Sequence, residues 1–318
     1  MNLKITRQRN IYFAFSAFMV ALAIGAMIFK GFNLGIDFKG GQLLQLKFEK
    51  AINKDELNKT LDGIAIEIPQ LKSNSRKLQY SEGNTIIIRT QEVTEAQKVK
   101  ILNDLKAKEG NFEVVKADKV GATIGKELTN SAGIALLFGS ILIVFYITIR
   151  FELIYAVAAI IALLHDVFIT IVMVCLLGLE IDTPFIAAIL TILGYSINDT
   201  IVVFDRIREN DAKLKNKMDF IDIIDLSINQ VFWRSLFTSI TTLFSILALL
   251  ILGGASLRTF NFALFVGVFY GAYSSIFLAS PILYLLRKYK RKPKDVTGEA
   301  IQMGPRGLEE DSAEKVLL

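Results

Sequence analysis

The chain is poor in the residues from which catalytic and metal centres are built. Its 318 residues include one cysteine, one histidine and one tryptophan, and only 21% are charged. The single cysteine, Cys175, lies in an apolar stretch, so no intrachain disulfide can form and any exported part must fold without one. With one histidine, His165, and carboxylates scattered along polar faces, nothing suggests covalent catalysis, metal binding or nucleotide hydrolysis. No cofactor or metal is expected, and the chain does not read as an enzyme.

What is abundant is hydrophobicity. Apolar residues make up 53% of the chain, and the mean hydropathy is +0.46. The charge is segregated into a few segments, which leaves six apolar stretches at about 11–29, 132–149, 153–177, 183–204, 232–252 and 260–286. Each approaches or exceeds the roughly 20 residues that cross a bilayer as helix. The expected fold is therefore an α-helical membrane protein with six transmembrane helices.

Lysine and arginine set the orientation. They cluster at Lys4, Arg7 and Arg9, between the fourth and fifth spans at Arg206, Arg208, Lys213, Lys215 and Lys217, and from Arg287 to Lys292. The short loops of the opposite side hold only Arg258. Both termini are thus expected in the cytoplasm of a multi-pass inner-membrane protein. The formal charge of +5 reflects this topology and an attraction to anionic lipid, not nucleic-acid binding. The first span lacks a small-x-small cleavage site before Lys30 and reads as an uncleaved anchor.

Four regions follow from this: 1–30, a cytoplasmic N-terminus and first span; 31–131, an exported domain; 132–286, five further spans with an amphipathic cytoplasmic loop at 205–231; and 287–318, a basic, disordered tail. In the exported domain, strands are expected near 43–48, 77–80, 85–89 and 112–115, with helices at 54–61 and 94–108, the latter apolar at Val99, Leu102 and Leu105. That order, βαββαβ, is ferredoxin-like and makes a small α+β domain. Before it stands a turn motif, Gly35-Ile-Asp37-Phe-Lys-Gly40-Gly41, whose glycines permit positive φ where a chain leaves a helix and enters a sheet. In the cytoplasmic loop, Asp219, Asp222 and Asp225 alternate with Phe220, Ile223, Ile224 and Ile228, a pattern for a helix on the membrane surface.

Asp199 is the most telling residue. A carboxylate at the centre of a membrane helix costs about 2.5–3.5 kcal/mol on insertion scales, so such groups mark ion pathways, proton relays or buried pairs. Tyr195 and Ser196 lie one turn before it, flanked by Asn198 and Thr200. In the fifth span Arg234, Thr238, Thr241 and Ser245 form a stripe, and the third span adds His165 and Asp166. The expectation is one hydrophilic seam in which Arg234 meets Asp199, either as a static ion pair or as a titrating one. His165 reads equally as a relay group or as a core histidine bonded to backbone, and Asp166 as a relay or as helix packing.

These stretches carry a resemblance. The motif at 35–41, Gly194-Tyr-Ser-Ile-Asn-Asp-Thr-Ile-Val-Val-Phe-Asp-Arg-Ile-Arg-Glu-Asn210, and Arg234-Ser-Leu-Phe-Thr-Ser-Ile-Thr-Thr-Leu243 resemble the SecD/SecF family of protein-export membrane proteins, in the resistance-nodulation-division superfamily. The resemblance implies an accessory subunit of the Sec translocon that uses the proton motive force to help draw preproteins across the inner membrane after SecA has pushed them. It implies SecD as the complementary six-helix half, SecYEG, SecA, YajC and YidC as partners, and proton coupling at Asp199 and Arg234. A translocon subunit without coupling and a small-molecule proton antiporter are the alternatives, and oxygen ligands of this kind would serve sodium as well as a proton.

Overall fold

The computed structural model describes residues 3–81 and 83–291. Six helices are long and apolar enough to cross a membrane. They are α1 (Arg9–Lys30), α5 (Ala122–Arg150), α6 (Leu153–Leu176), α7 (Thr183–Leu214), α8 (Phe220–Leu252) and a sixth that begins as α9 (Arg258–Ser274). The last passes through a π-helical segment, Ser275–Ala279, into α10 (Ser280–Arg291). The part of the expected tail at 287–291 is thus helical, and the remainder lies outside the described residues.

Between α1 and α5 sits a small sheet domain. A short helix, α2 (Ile36–Lys39), leads into β1 (Gly41–Phe48), α3 (Lys54–Ile64), β2 (Lys77–Ser81), β3 (Thr85–Thr90), α4 (Glu95–Glu109) and β4 (Phe112–Val120). The four strands are antiparallel in the order β2-β3-β1-β4, with a bulge between Gln45 and Leu46 where β1 meets β4. Asn53 caps α3, and Thr94 with Gln97 forms a capping box on α4, so both helices start where their first amides find acceptors. They cover one face of the sheet over a core of Leu44, Leu46, Phe48, Leu57, Leu61, Ile86, Ile88, Ile101 and Leu105. On α4 the buried line is Ile101 and Leu105, whereas Val99, expected inside, is 52% exposed. The opposite face of the sheet looks across a cleft of about 1200 Å³ at the near ends of the spans, with Gln45, Lys47, Gln79 and Glu180 among its walls.

Two spans are longer than their apolar runs. α5 begins at Ala122 instead of near 132, because the polar segment with Lys126, Glu127 and Asn130 continues the helix and packs Gly125 against Gly40. α7 runs on to Leu214 and α8 starts at Phe220, so most of the expected loop at 205–231 is helix continuous with the fourth and fifth spans. Ile223, Ile224 and Ile228 are buried in the bundle core instead of lying on a membrane surface. Asp222 pairs with Arg7 at 2.6 Å, and Asp225 accepts the Thr6 amide at 2.7 Å.

Within the bundle, α6, α7 and α9 are the most buried helices, while α1, α5 and α8 present wide apolar faces outward. Two glycines let α9 approach α7. A Cβ at Gly267 would lie 2.4 Å from Ile192 Cδ1 and Cγ1, and one at Gly271 would lie 3.1 Å from Ser196 Cβ. Gly267→Ala is therefore expected to destabilise the bundle by about 1–3 kcal/mol through overpacking. Thermal unfolding of the full chain in lipid reads this directly, and an unchanged transition would mean that Ile192 rotates away at no cost.

Candidate functional site

Two polar groups lie in the bundle, on different faces of α7. The first is built around Asp199, which stands midway along α7 and is 4% exposed. Its carboxylate accepts a hydrogen bond at 3.1 Å from Ser239 on α8. Arg234 is exposed and makes no direct contact with it among the described residues; it attracts the carboxylate only through space. The expected Arg234–Asp199 pair is not formed within the chain.

The reason lies in the phase of α8. Ser235 and Ser239 face inward and are buried, whereas Arg234, Thr238, Thr241 and Ser245 face out. The hydroxyls of Thr238, Thr241 and Ser245 donate to carbonyls of their own helix, at 2.8, 3.0 and 3.3 Å. Tyr195 bridges from α7 by donating to Thr242 Oγ1 at 3.0 Å, and Asn198 is exposed beside it. The sequence stripe thus lies on the exposed face of α8, while Asp199 is buried at the α7–α8 contact beside Ser239. Ser239 and Ser235 were not among the expected site residues. Their signal was a second serine line at i, i+4, hidden beside a stripe that carried a charge.

The second group is built around Asp166 on α6, which is fully buried. Ser196 of α7 and Ser274 of α9 both donate to its Oδ2, at 2.7 and 2.5 Å, and His165 Nδ1 lies 3.1 Å from Oδ1. Thr200 and Ser275 join below at 2.8 Å. His165, Asp166 and Ser196 are therefore brought together, but apart from Asp199. Ser274 and Ser275 complete the group, and a serine pair inside the sixth apolar run is the sequence feature that would have revealed them.

The turn motif joins the sheet domain to the start of α7. Gly35 N donates to Ile181 O and Ile181 N to Asn33 O, both at 2.8 Å, a short parallel bridge. Asp37 accepts the Thr183 amide at 2.9 Å, placing a carboxylate at the N-terminus of α7. Gly40 and Gly41 have φ of +73° and +137°, which the turn into β1 requires. Nearby, Arg89 of β3 pairs with Glu180 of the α6–α7 loop, both nearly buried. Burial pushes the Glu180 carboxyl above its ordinary range, against the pull of Arg89, and lowers the Arg89 guanidinium.

At the far end, the second half of the long α7 motif ties helices together. Asp205 pairs with Arg150 of α5 at 3.2 Å and with Arg208 at 3.1 Å. Asn210 donates to Ser227 and Gln230 of α8, each at 2.8 Å. Asp211 pairs at 2.8 Å with Arg287 of α10, whose guanidinium lies 3.8 Å from the Phe220 ring centre. Among the described residues no group of three or more histidine, cysteine or acidic side chains gathers as a metal site.

Comparisons with known proteins agree on one family. Residues 100–289 match the description "Protein export membrane protein SecD/SecF, C-terminal", and residues 25–52 match the "SecD/SecF GG Motif", which spans the turn at 35–41. The chain is 58% identical over 294 residues to a protein translocase subunit SecF of Sebaldella termitidis, covering 92% of this chain and 95% of that one. It is 39% identical over 279 residues to a protein translocase subunit SecDF of Thermus thermophilus, covering 88% of this chain and 38% of the relative. The crystal structure of a SecDF from the same organism, titled as a translocon-associated membrane protein, superposes with a TM-score of 0.82 at 37% identity. That likeness covers 91% of this chain and 39% of the longer one.

Proposed function

The chain belongs to the SecD/SecF family of protein export membrane proteins, and from that premise we propose how its bundle couples an ion gradient to export. It is a multi-pass inner-membrane protein and a protein translocase subunit, with SecD as its partner. Its termini lie in the cytoplasm, so the sheet domain, a ferredoxin-like module in its strand order, is exported. The SecD half covers the exposed face of α8 that carries Arg234 and so closes a groove over Asp199. SecYEG, SecA, YajC and YidC work alongside, and the substrate is a preprotein.

Asp199 is the coupling carboxylate. The observation that carries this is its isolation: it is buried with one serine donor, while Arg234 stands exposed on α8 without contacting it. A locked structural pair would be a direct contact. A carboxylate whose cation approaches only when that face is covered instead holds or releases its proton according to how the two halves pack. Moving one charge through the membrane field is worth about 2.3 kcal/mol per 100 mV, enough to shift such a balance. The sheet domain follows, because the glycine turn and the Asp37 cap fix it to the first turn of α7.

The test is preprotein translocation into inverted inner-membrane vesicles carrying this chain and SecD, with and without a proton motive force. Asp199→Asn is expected to assemble and lose only the force-dependent stimulation. Full stimulation in that variant would make the carboxylate structural.

A further inference from the structure

The coupling proposal makes no use of Asp166, although it is the most completely buried carboxylate in the bundle. Its surroundings are unusual for a packing residue. The α6 side chain reaches donors on two other helices, Ser196 of α7 and Ser274 of α9, and both are themselves buried. Its one ion-pair partner among the described residues is His165. Tyr270 of α9 lies edge-on to that imidazole with ring centres 6.4 Å apart, α1 brings Met19, Val20 and Ala23 to the same cluster as Tyr270, and Tyr273, next to Ser274, meets Ser16 of α1 at 3.4 Å. On α7, Asp199 faces α8 instead, and Asp205 and Asp211 are engaged by Arg150 and Arg287 at the far end of the helix.

His165 does not settle the charge. Its Nε2 is buried and has no hydrogen-bond partner. Among the described residues Nε2 meets no acceptor, so the arrangement that leaves no buried N–H unmatched is Nδ1–H donating to Asp166 with Nε2 bearing no hydrogen. An ionised Asp166 would then have only three neutral donors and no cation, which a low-dielectric interior penalises heavily. We propose that Asp166, backed by His165, is a second proton-binding site of the bundle, separate from Asp199 and seated at the junction of α6, α7 and the sixth span.

The site has a built-in readout. Ser274 Oγ lies 2.5 Å from Asp166 Oδ2 and 3.3 Å from Gly271 O, and its single hydrogen serves one of them. When the carboxylate is ionised, the hydroxyl donates to it. When Asp166 takes up one proton and donates to Ser274, the hydroxyl turns to the Gly271 carbonyl. The π-helical segment begins at the next residue, where Ser275 donates to Gly271 O at 2.8 Å and meets Thr200 at 2.8 Å. Such insertions into a helix are points where register shifts readily, so the proton on Asp166 acts where the sixth span is most easily rewound.

Infrared difference spectroscopy of the full chain with SecD in lipid vesicles, titrated from about pH 5 to about pH 9, tests this. A protonated-carboxyl carbonyl band that titrates in wild type is expected to be lost in Asp166→Asn, retained in Asp199→Asn and shifted in Ser274→Ala. Superimposable titrations of wild type and Asp166→Asn would overturn it. If Asp166→Asn does not accumulate in folded form, Ser274→Ala and Ser196→Ala decide: a displaced band upholds the site, and an unmoved one ends it. Asp199→Asn removes only the contribution of that carboxyl and leaves the Asp166 band in place, so the two proposals fail separately.

Discussion

Arg234→Gln is expected to abolish force-dependent export while leaving the stability of the chain within about 0.5 kcal/mol of wild type. The two halves of that expectation come from one observation, that Arg234 is exposed on α8 and makes no ion pair among the described residues. A buried ion pair would behave differently, since removing one member leaves an uncompensated charge and costs about 3–5 kcal/mol. Among the described residues Asp199 is bonded by Ser239, and truncating Arg234 disturbs no hydrogen bond made by its side chain there. Under the coupling proposal its contribution arises when the partner half packs on this face of α8 and the guanidinium is desolvated against Asp199. Thermal unfolding of the chain alone and translocation in vesicles separate the two effects. A loss of more than about 2 kcal/mol in the isolated chain would make Arg234 structural and sink the coupling role. The double variant with Asp199→Asn adds a second check: if the residues act as a unit, it is no worse than either single change.

The sequence announced Asp199 and Arg234 because a charge in an apolar run is conspicuous, but it could not tell which way α8 turns. Ser239 and Thr238 are neighbours in the chain and lie about 100° apart on the helix, and apolar residues surround both. Only packing decides, and it turned the serine inward. The same limit applied on α4, where Val99 and Ile101 are both apolar and burial chose Ile101. Helix ends were misread for a related reason. Hydropathy marks where lipid begins, whereas the hydrogen-bonded helix continues into water as long as its residues allow, as at Ala122 and Leu214. The Asp166 group needed three helices to be assembled before it existed: the serine pair at 274 and 275 marks a polar spot in the sixth apolar run but not the carboxylate it serves. The presence of a small sheet domain between the first two spans was the most legible part, since the alternation of its strands is a local signal.

Gly41→Ala is the substitution expected to damage the link between the sheet domain and the bundle most. Two costs fall on one atom. The residue has φ of +137°, where an L side chain is strained by about 1–3 kcal/mol. Its Cβ would also stand 2.4 Å from the carbonyl oxygen of Thr90, which is backbone and cannot swing aside as a side chain would. Thr90 lies opposite Gln42 at the end of the β1–β3 ladder, and Gly41 itself lies opposite Val120 on β4, so relief must come from opening the sheet where it meets α2. Adding one lost ladder bond to the strain gives about 3 kcal/mol. Hydrogen exchange of the full chain in lipid should then show the amides around Gln42 and Arg89 opening about 100-fold more readily, with the bundle core unchanged. Gly83→Ala isolates the first cost: φ there is +67°, yet nothing lies within 4 Å of the added methyl group. That variant should lose only about 1–2 kcal/mol, confined to the β2–β3 turn. If the two variants behave alike, the Thr90 contact is irrelevant and backbone strain alone governs the turn. If Gly41→Ala is distinctly worse and also lowers translocation, the close approach of β1 to β3 is what holds the sheet domain in register with the first turn of α7.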